Sequence, residues 1–220
     1  MIFKIFLFIC IVVLIFFILN HRESFQYTKK QNDFLHKKLL ELCKKITDIF
    51  NEHNITYFIH SGTLLGSVRE GNIIPHDDDI DIAIFPHDIE FLLSDEFNRE
   101  LKKYNLKFIP FKTDKGIIKL KDLNSKHGIF IDIFIFRKNG HKIEYDAEVS
   151  RNLWKNGWFD EKELFPLTLY PLGDIKLFGP NDPYPYLCRH FGKDWKIPKT
   201  RKRDHSEEIN LDETCYGECK

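Results

Sequence analysis

The segment IFIDIFIF, residues 129–136, constrains the fold more than any other part of this sequence. Side chains alternate between the two faces of a strand, so a strand built from this segment is apolar on both faces. Such a pattern favours a strand in the core of a domain. Asp132 is its one charged residue. A buried carboxylate there costs several kcal/mol unless it is paired or bound to a metal ion.

A second segment, HDDDIDIAIF at residues 76–85, places four aspartates at the head of another apolar strand. Alternation predicts that Asp77, Asp79 and Asp81 share one face while the isoleucines between and beyond them enter the core. Neighbouring like charges disfavour mutual ionisation, and a divalent cation removes that penalty. If the two strands lie side by side, Asp132 completes a triad with Asp79 and Asp81. The sequence therefore predicts a carboxylate site for Mg²⁺ or Mn²⁺ that serves phosphoryl transfer.

Two other interpretations of the aspartates compete with this one: a solvated strand end and a calcium-binding loop. An EF-hand loop needs Gly at its sixth position and Glu at its twelfth. Counted from Asp77, those positions hold Ile82 and Asp88, which disfavours the calcium loop. A solvated strand end would not explain Asp132, so the metal site is the favoured interpretation.

A turn that suits an anion lies upstream, in HSGTLLGSVREG at residues 60–71. It follows a short predicted strand and opens a short helix, whose first N–H groups can hold an anionic oxygen. An ordinary strand-to-helix turn with a threonine cap is the alternative. Arg69 is expected to contact a phosphate or to pair with an acidic group. Lys119 and Lys121 share one face of a strand expected beside the first segment, and two roles are open for each: neutralising a nucleotide, or facing solvent alone. The predicted donor-binding residues are Ser61, Gly62, Thr63, Arg69 and Lys119.

The first twenty residues, MIFKIFLFICIVVLIFFILN, predict a signal-anchor helix. Residues 2–19 are apolar apart from Lys4, and about eighteen helical residues span roughly 27 Å, enough for a thin bilayer core. A cleaved signal peptide is the alternative, but no small-residue cleavage site follows. We therefore expect a single-pass membrane protein held by residues 2–19.

The rest of the chain predicts one α+β domain. Lys+Arg and Asp+Glu are equal at 33 each, so no overall charge attracts nucleic acid, and no nucleic-acid partner is expected. Periodicity predicts helices over Thr28–Glu52, Thr63–Val68, Asp88–Tyr104 and Tyr184–Phe191, and strands over Thr56–Ile59, Ile80–Ile84, Leu106–Phe111, Gly116–Leu120 and Ile129–Phe136. The predicted organisation is an anchor at 1–20, a stalk at 21–33, a catalytic domain at 34–198 and a charged tail at 199–220.

Together these motifs resemble the LicD/fukutin-related family, a branch of the nucleotidyltransferase-like fold. The resemblance rests on SGTLLGSVREGNIIPHDDDIDIAI at 61–84, GIFIDIFIF at 128–136 and LFGPNDPYPYLCRHFGKDWKIP at 177–198. It implies a mixed sheet flanked by helices. It also implies transfer of a phospho-alcohol, such as phosphocholine or ribitol 5-phosphate, from a CDP-linked donor to a glycan hydroxyl, with release of CMP. Family members of the animal kind are often anchored with the catalytic domain in the Golgi lumen, so a lumen-facing domain in the Golgi or ER is expected if the source is eukaryotic.

Matched residue by residue, the resemblance makes Asp79 and Asp81 metal ligands and Asp132 the third acidic residue. Gly62 and Thr63 match the family's turn before the first helix. His76 departs from the pattern, since the family usually has tryptophan there, which puts in doubt any contact that an indole would make. Two alternatives stay open: a nucleotidyltransferase that releases pyrophosphate from a nucleoside triphosphate, and an inactive, membrane-tethered glycan-binding module.

Overall fold

The computed structural model describes residues 32–112, 115–123 and 129–198. By its internal contacts the chain divides into a unit of residues 1–37 and a unit of residues 38–220. The helices are α1 (32–52), α2 (Ser61–Glu70), α3 (Ile89–Leu92), α4 (Asp95–Lys103), α5 (Glu148–Leu153), α6 (Glu161–Leu164) and α7 (Tyr184–Phe191). The strands are β1 (Tyr57–Ile59), β2 (Ile80–Ile84), β3 (Leu106–Lys112), β4 (Ile117–Asp122), β5 (Phe130–Asn139), β6 (Lys142–Tyr145), β7 (Phe159–Asp160), β8 (Thr168–Leu172) and β9 (Ile175–Gly179).

The larger sheet is mixed, with strand order β1-β2-β5-β4-β3. β2 and β5 are parallel, whereas β1 with β2, β4 with β5, and β3 with β4 are antiparallel. The far end of β5 pairs with β6, which pairs with β7, while β8 and β9 form a separate hairpin. The predicted mixed α+β fold is confirmed in these elements.

β5 is the central strand of the sheet, in agreement with its uniformly apolar sequence. Ile131 and Ile133 are fully buried on one face, and Phe136 is fully buried on the other. On the isoleucine face, β2 contributes Ile80, Ile82 and Ile84, which are also fully buried. Burial on both faces explains why the strand carries so few polar residues.

α1 is amphipathic, and its apolar residues recur at the spacing of one helix face. The buried residues of this helix from residue 38 onward are Leu39, Leu42, Cys43, Ile46, Thr47, Ile49 and Phe50. The predicted helix ends at residue 52, as observed; its predicted first residues, 28–31, lie outside the described residues.

The predicted membrane location is wrong. Within the described ranges, no helix is both long and apolar enough to cross a membrane. α1 is the longest of these helices, but it carries charged residues, such as Lys44 and Asp48, which form an ion pair of 2.7 Å. A helix with such charges along its length is not apolar enough to span a membrane. Residues 2–19, where the anchor was predicted, lie outside the described residues, as do the rest of the stalk to residue 31 and the tail at 199–220.

Candidate active site

The centre of the site is a row of three charged residues across the sheet. In the parallel pair of β2 and β5, Asp81 is the register partner of Asp132. In the antiparallel pair of β4 and β5, Lys119 is the register partner of the same Asp132. Register partners project to the same face, so Asp81, Asp132 and Lys119 lie side by side. The strand adjacency on which the predicted carboxylate triad depends is therefore present.

Asp132 and Lys119 form an ion pair inside this row. The Lys119 Nζ atom lies 2.8 Å from Asp132 Oδ2, and the two side chains are 25% and 9% exposed. The carboxylate of Asp132 is therefore paired, as a buried charge in an apolar strand requires. Lys119 was predicted to contact a donor phosphate; in the structure its ammonium contacts Asp132, one of the predicted metal ligands.

Asp77, Asp78 and Asp79 lie before β2 instead of within it, because the strand begins at Ile80. A turn, in which the Asp77 N–H donates to the Ile74 carbonyl at 2.9 Å, folds this segment back on itself. One carboxylate oxygen from each of these three aspartates lies within 4.8 Å of the others. The predicted strict alternation of the aspartates is therefore wrong upstream of Ile80, since a turn has no two-residue period.

Asp79 is the aspartate whose pKa this environment raises. Burial, then the charges of Asp77 and Asp132, raise the pKa of Asp79 to about 7, while Lys119 acts in the opposite direction. The carboxylate of Asp79 lies close to that of Asp77. Lys119 lowers the pKa of Asp79 by less than burial and the two neighbouring aspartates raise it.

α2 approaches the aspartates through its first residues. The Thr63 Oγ1 atom accepts a hydrogen bond of 2.8 Å from the backbone N–H of Asp81, which ties this helix to the head of β2. A Cβ atom added to Gly62 would lie 2.9 Å from Asp77 Oδ2 and 3.8 Å from Asp81 Oδ2. Glycine therefore leaves the space that these two carboxylates occupy.

The start of α2 differs from the prediction in two ways. The helix begins at Ser61, two residues before the predicted Thr63, and His60 is its N-cap. Ser61 has a positive φ of 48°, and its N–H donates to the Tyr186 hydroxyl at 3.1 Å. The Ser61 N–H, expected to hold an anionic oxygen, is therefore bonded to the protein itself.

Tyr186 is a site residue that the sequence patterns did not single out. Its ring is fully buried and stacks on Phe159 with centroids 4.0 Å apart. Its hydroxyl supports the turn at Ser61, 125 positions away in the sequence. Local periodicity cannot find such a long-range contact; the one available signal was its place in the segment 177–198.

Arg69 makes its hydrogen bonds with Glu70 and Trp195. It lies in the last turn of α2, eight residues from Ser61, which corresponds to about 12 Å along the helix axis. Its guanidinium donates to Glu70 at 2.9 Å and to the Trp195 carbonyl at 3.1 Å. Of the two roles considered for this residue, the structure shows the pairing with an acidic neighbour, Glu70, and contact with a phosphate stays a prediction.

A comparison with protein-family models decides the family. The model described as "LicD/FKTN/FKRP, nucleotidyltransferase domain" matches residues 54–182, more than half of the chain. The chain belongs to the LicD/FKTN/FKRP family. The matched range contains β1 through β9 and every predicted site residue, and the resemblance drawn from the motifs is confirmed.

Relatives of this LicD-family chain include bacterial and animal proteins. An uncharacterized protein of Rickettsia prowazekii, RP689, is 35% identical over 153 residues, covering 70% of this chain and 53% of the relative. The human ribitol-5-phosphate transferase FKTN is 29% identical over 175 residues, covering 74% of this chain and 33% of the relative. The chain thus spans about half the length of the first and a third of the second. Among solved structures, ANT(2")-Ia in complex with adenylyl-2"-tobramycin has a TM-score of 0.44 at 13% identity, covering 64% of this chain and 68% of that one.

The carboxylates of this LicD-family site fit a divalent cation. Burial first, and then the charges of Asp77 and Asp132, raise the pKa of Asp79, so its ionised form is disfavoured unless a cation is present. The donor set consists of carboxylate oxygens, the ligands that Mg²⁺ and Mn²⁺ prefer. The carboxylates that converge closely enough to share an ion are those of Asp77, Asp78 and Asp79. Asp81 lies beside Asp77 over Gly62, and Asp132 is the register partner of Asp81, so the predicted set of Asp79, Asp81 and Asp132 overlaps this group at Asp79 only.

Proposed function

We propose that this chain is a metal-dependent transferase. It moves a phospho-alcohol, such as phosphocholine or ribitol 5-phosphate, from a CDP-linked donor to a glycan hydroxyl and releases CMP. The observation that carries the proposal is the register of Asp81 with Asp132 on neighbouring parallel strands. Membership of the LicD/FKTN/FKRP family and the similarity to a protein named as a ribitol-5-phosphate transferase support it.

The reaction is a displacement at phosphorus. The glycan hydroxyl oxygen forms a bond to the phosphorus that carries the alcohol, and the bond from that phosphorus to the oxygen of CMP breaks. The hydroxyl proton passes to a base, and CMP leaves with the bonding electron pair. Asp79, Asp81 and Asp132 would hold Mg²⁺ or Mn²⁺, which, when bound, offsets the charge of the diphosphate and of the departing CMP. Asp132 suits either of two roles, a ligand of the ion or the acceptor of the proton.

The remaining residues position these groups. Thr63 fixes the backbone of Asp81 through a hydrogen bond of 2.8 Å. Gly62 leaves room for the Asp77 and Asp81 carboxylates. Lys119 favours the ionised form of Asp79 against the effect of burial. Each residue therefore keeps a carboxylate in a position or a charge state that can bind a cation.

Release of CMP tests the proposal. The full chain is incubated with Mg²⁺ or Mn²⁺, a mixture of glycan acceptors, and CDP-choline, CDP-ribitol, CDP-glycerol or CDP-ethanolamine in separate reactions. We expect CMP from one of these donors, and loss of more than 99% of the rate with EDTA or with Asp81→Asn. Asp174→Asn is the matched control, because Asp174 is exposed in the turn between β8 and β9.

The two alternatives give different products. A nucleotidyltransferase would release pyrophosphate from a nucleoside triphosphate and no CMP from the CDP-linked donors. An inactive binding module would release neither, and the folded protein would fail to bind Mn²⁺. Either result would overturn the proposed transfer.

A further inference from the structure

Two lysines lie opposite each other on the face of the sheet that carries the charged row. Lys107 of β3 is the register partner of Lys121 of β4, and Lys121 is the partner of Phe130. Lys121 is two positions along β4 from Lys119, so its side chain points to the same face. Lys107, as its register partner, shares that face. The row of Asp81, Asp132 and Lys119 thus has a basic row next to it.

This basic pair is unfavourable by itself. Like charges directly opposite each other on neighbouring strands destabilise a sheet. Within the described part of the chain, neither Lys107 nor Lys121 forms an ion pair, although Lys119 on the same face does. Four other lysines also have carboxylate partners: Lys38, Lys44, Lys103 and Lys138. Other exposed lysines, such as Lys176, also form no ion pair among the described residues; what distinguishes Lys107 and Lys121 is that they lie directly opposite each other on neighbouring strands.

The position of the pair suits a ligand that begins at the carboxylates. Successive same-face residues are about 7 Å apart along a strand, and neighbouring strands are about 4.8 Å apart. These spacings put the backbone of Lys121 about 8 Å from that of Asp132, and the backbone of Lys107 about 12 Å away. A lysine side chain adds several ångströms of reach toward the space above the row.

Lys119 cannot serve the same purpose as freely, because its ammonium already lies 2.8 Å from Asp132. A CDP-linked donor carries two phosphates, which need positive charge besides that of a cation among the aspartates. Lys107 is exposed and Lys121 half-buried, so both ammonium groups can meet a ligand from solvent.

We propose that Lys107 and Lys121 form a binding subsite for the nucleoside diphosphate part of the donor. This inference rests on the proposed function, since it assigns the donor's anionic end to one side of the aspartate site. The pair supplies two positive charges beyond Lys119, and the ligand relieves their mutual repulsion. The donor then lies across β5 and β4 toward β3: the phosphate that carries the alcohol stays at the carboxylates, and the phosphate of the CMP part extends toward the two lysines.

Binding of CDP tests the subsite directly. Isothermal titration calorimetry on the full chain, with Mg²⁺ present, compares the wild type with the double variant Lys107→Ala/Lys121→Ala. We expect the double variant to bind CDP at least tenfold more weakly and to show a smaller loss of affinity when salt is raised. Lys107→Arg/Lys121→Arg should retain binding within about threefold of the wild type. Lys176→Ala is the matched control, an exposed lysine on β9, and should bind like the wild type.

Stability separates this role from a structural one. Because removal of the pair relieves a like-charge contact, the double alanine variant should resist urea at least as well as the wild type. A variant that binds CDP like the wild type overturns the subsite. So does one that loses CDP binding together with its stability, since the lysines would then serve the fold.

Different results would contradict the lysine subsite and the transfer reaction. Release of CMP by the double variant with an unchanged KM for the donor would leave the transfer in place and remove the subsite. Absence of CMP from every donor, with CDP binding that still depends on the two lysines, would keep the subsite and overturn the transfer.

Discussion

At the level of single residues, Asp132 and Lys119 form the charged pair at the centre of the candidate site. The Asp132 side chain is 9% exposed, and the Lys119 ammonium at 2.8 Å offsets part of the cost of its burial in an apolar strand. A second charge of the same sign stands beside it, because Asp81 is its register partner across the parallel pair. The ion pair therefore stabilises a charged carboxylate at the centre of a sheet. A divalent ion bound there would add positive charge to that of the lysine.

Replacement of Lys119 by methionine keeps the length of the side chain and removes its charge. We expect the free energy of unfolding to fall by about 1–3 kcal/mol, because the nearly buried Asp132 loses its ammonium partner. Urea unfolding at neutral pH, without added metal, measures this change. Lys121→Met on the same face is the control, and its stability should stay within about 0.5 kcal/mol of the wild type or rise. Equal losses in both variants would show that the ion pair contributes nothing specific.

At the level of elements, the junction of α2 with β2 sets the geometry of the site. The helix begins at Ser61 directly after β1, and its third residue, Thr63, accepts the hydrogen bond from the Asp81 N–H. Gly71 ends the helix in a left-handed conformation with φ of 66°, and its N–H donates to Ser67. The chain then returns through the turn at Asp77 to the head of β2. The hydrogen bond at the start of α2 and the turns after its end thus place the carboxylates of Asp77 and Asp81 next to Gly62.

Replacement of Thr63 by valine tests this junction. Thr63 is 4% exposed, so its loss leaves the Asp81 N–H without its acceptor in a partly buried place. We expect a loss of about 1–3 kcal/mol in the free energy of unfolding and weaker binding of Mn²⁺, since the head of β2 is less well fixed. Thr63→Ser retains the hydroxyl and is the control. Wild-type affinity for Mn²⁺ in the valine variant would argue that this hydrogen bond has no part in the site.

At the level of the whole molecule, the buried His60 and the half-buried His190 make stability depend on pH. His60 is fully buried with its ring edge-on to Phe134, centroids 4.7 Å apart, and neither ring nitrogen has a hydrogen-bond partner among the described residues. Burial, and to a smaller extent the charge of His190, lowers the pKa of His60 well below 6.5. Burial likewise lowers the pKa of His190 to about 4.

The sign of the effect follows from proton uptake. Below a pH of about 6.5 the unfolded chain binds a proton on His60 that the folded chain does not, so the free energy of unfolding falls as the pH falls. Asp79 acts in the opposite direction between about pH 4 and pH 7, because its raised pKa makes the folded state bind the extra proton. The two effects overlap, and a variant is needed to separate them.

His60→Phe removes the titrating group and keeps an aromatic ring beside Phe134 and Phe136. Between pH 7 and pH 5 we expect the wild type to lose about 2 kcal/mol more of its free energy of unfolding than this variant does. Urea unfolding at the two pH values, without added metal, measures the difference. Parallel losses in both proteins would show that His60 is not kept neutral by the fold.

Sequence patterns predicted the elements that local signals define and missed those that depend on contacts between distant parts of the chain. The strand Ile80–Ile84 and the helix Tyr184–Phe191 were predicted with the bounds that they have, because apolar periodicity and the flanking Pro183 and Gly192 are local signals. Beyond Gly140 no elements were predicted before the last helix, although the structure has four strands and two helices there. These elements are two to six residues long, too short to show a period.

By itself the sequence determined which residues are charged within apolar strands, and hence that Asp81 and Asp132 need partners. It also determined the family, through the ordered motifs at 61–84 and 128–136. The tertiary structure decided the register that makes Asp81, Asp132 and Lys119 neighbours, the turn that gathers Asp77 to Asp79, and the hydrogen bond of Arg69 to the Trp195 carbonyl. The reason is physical: periodicity assigns a side chain to a face, whereas pairing between distant strands depends on how the whole core packs.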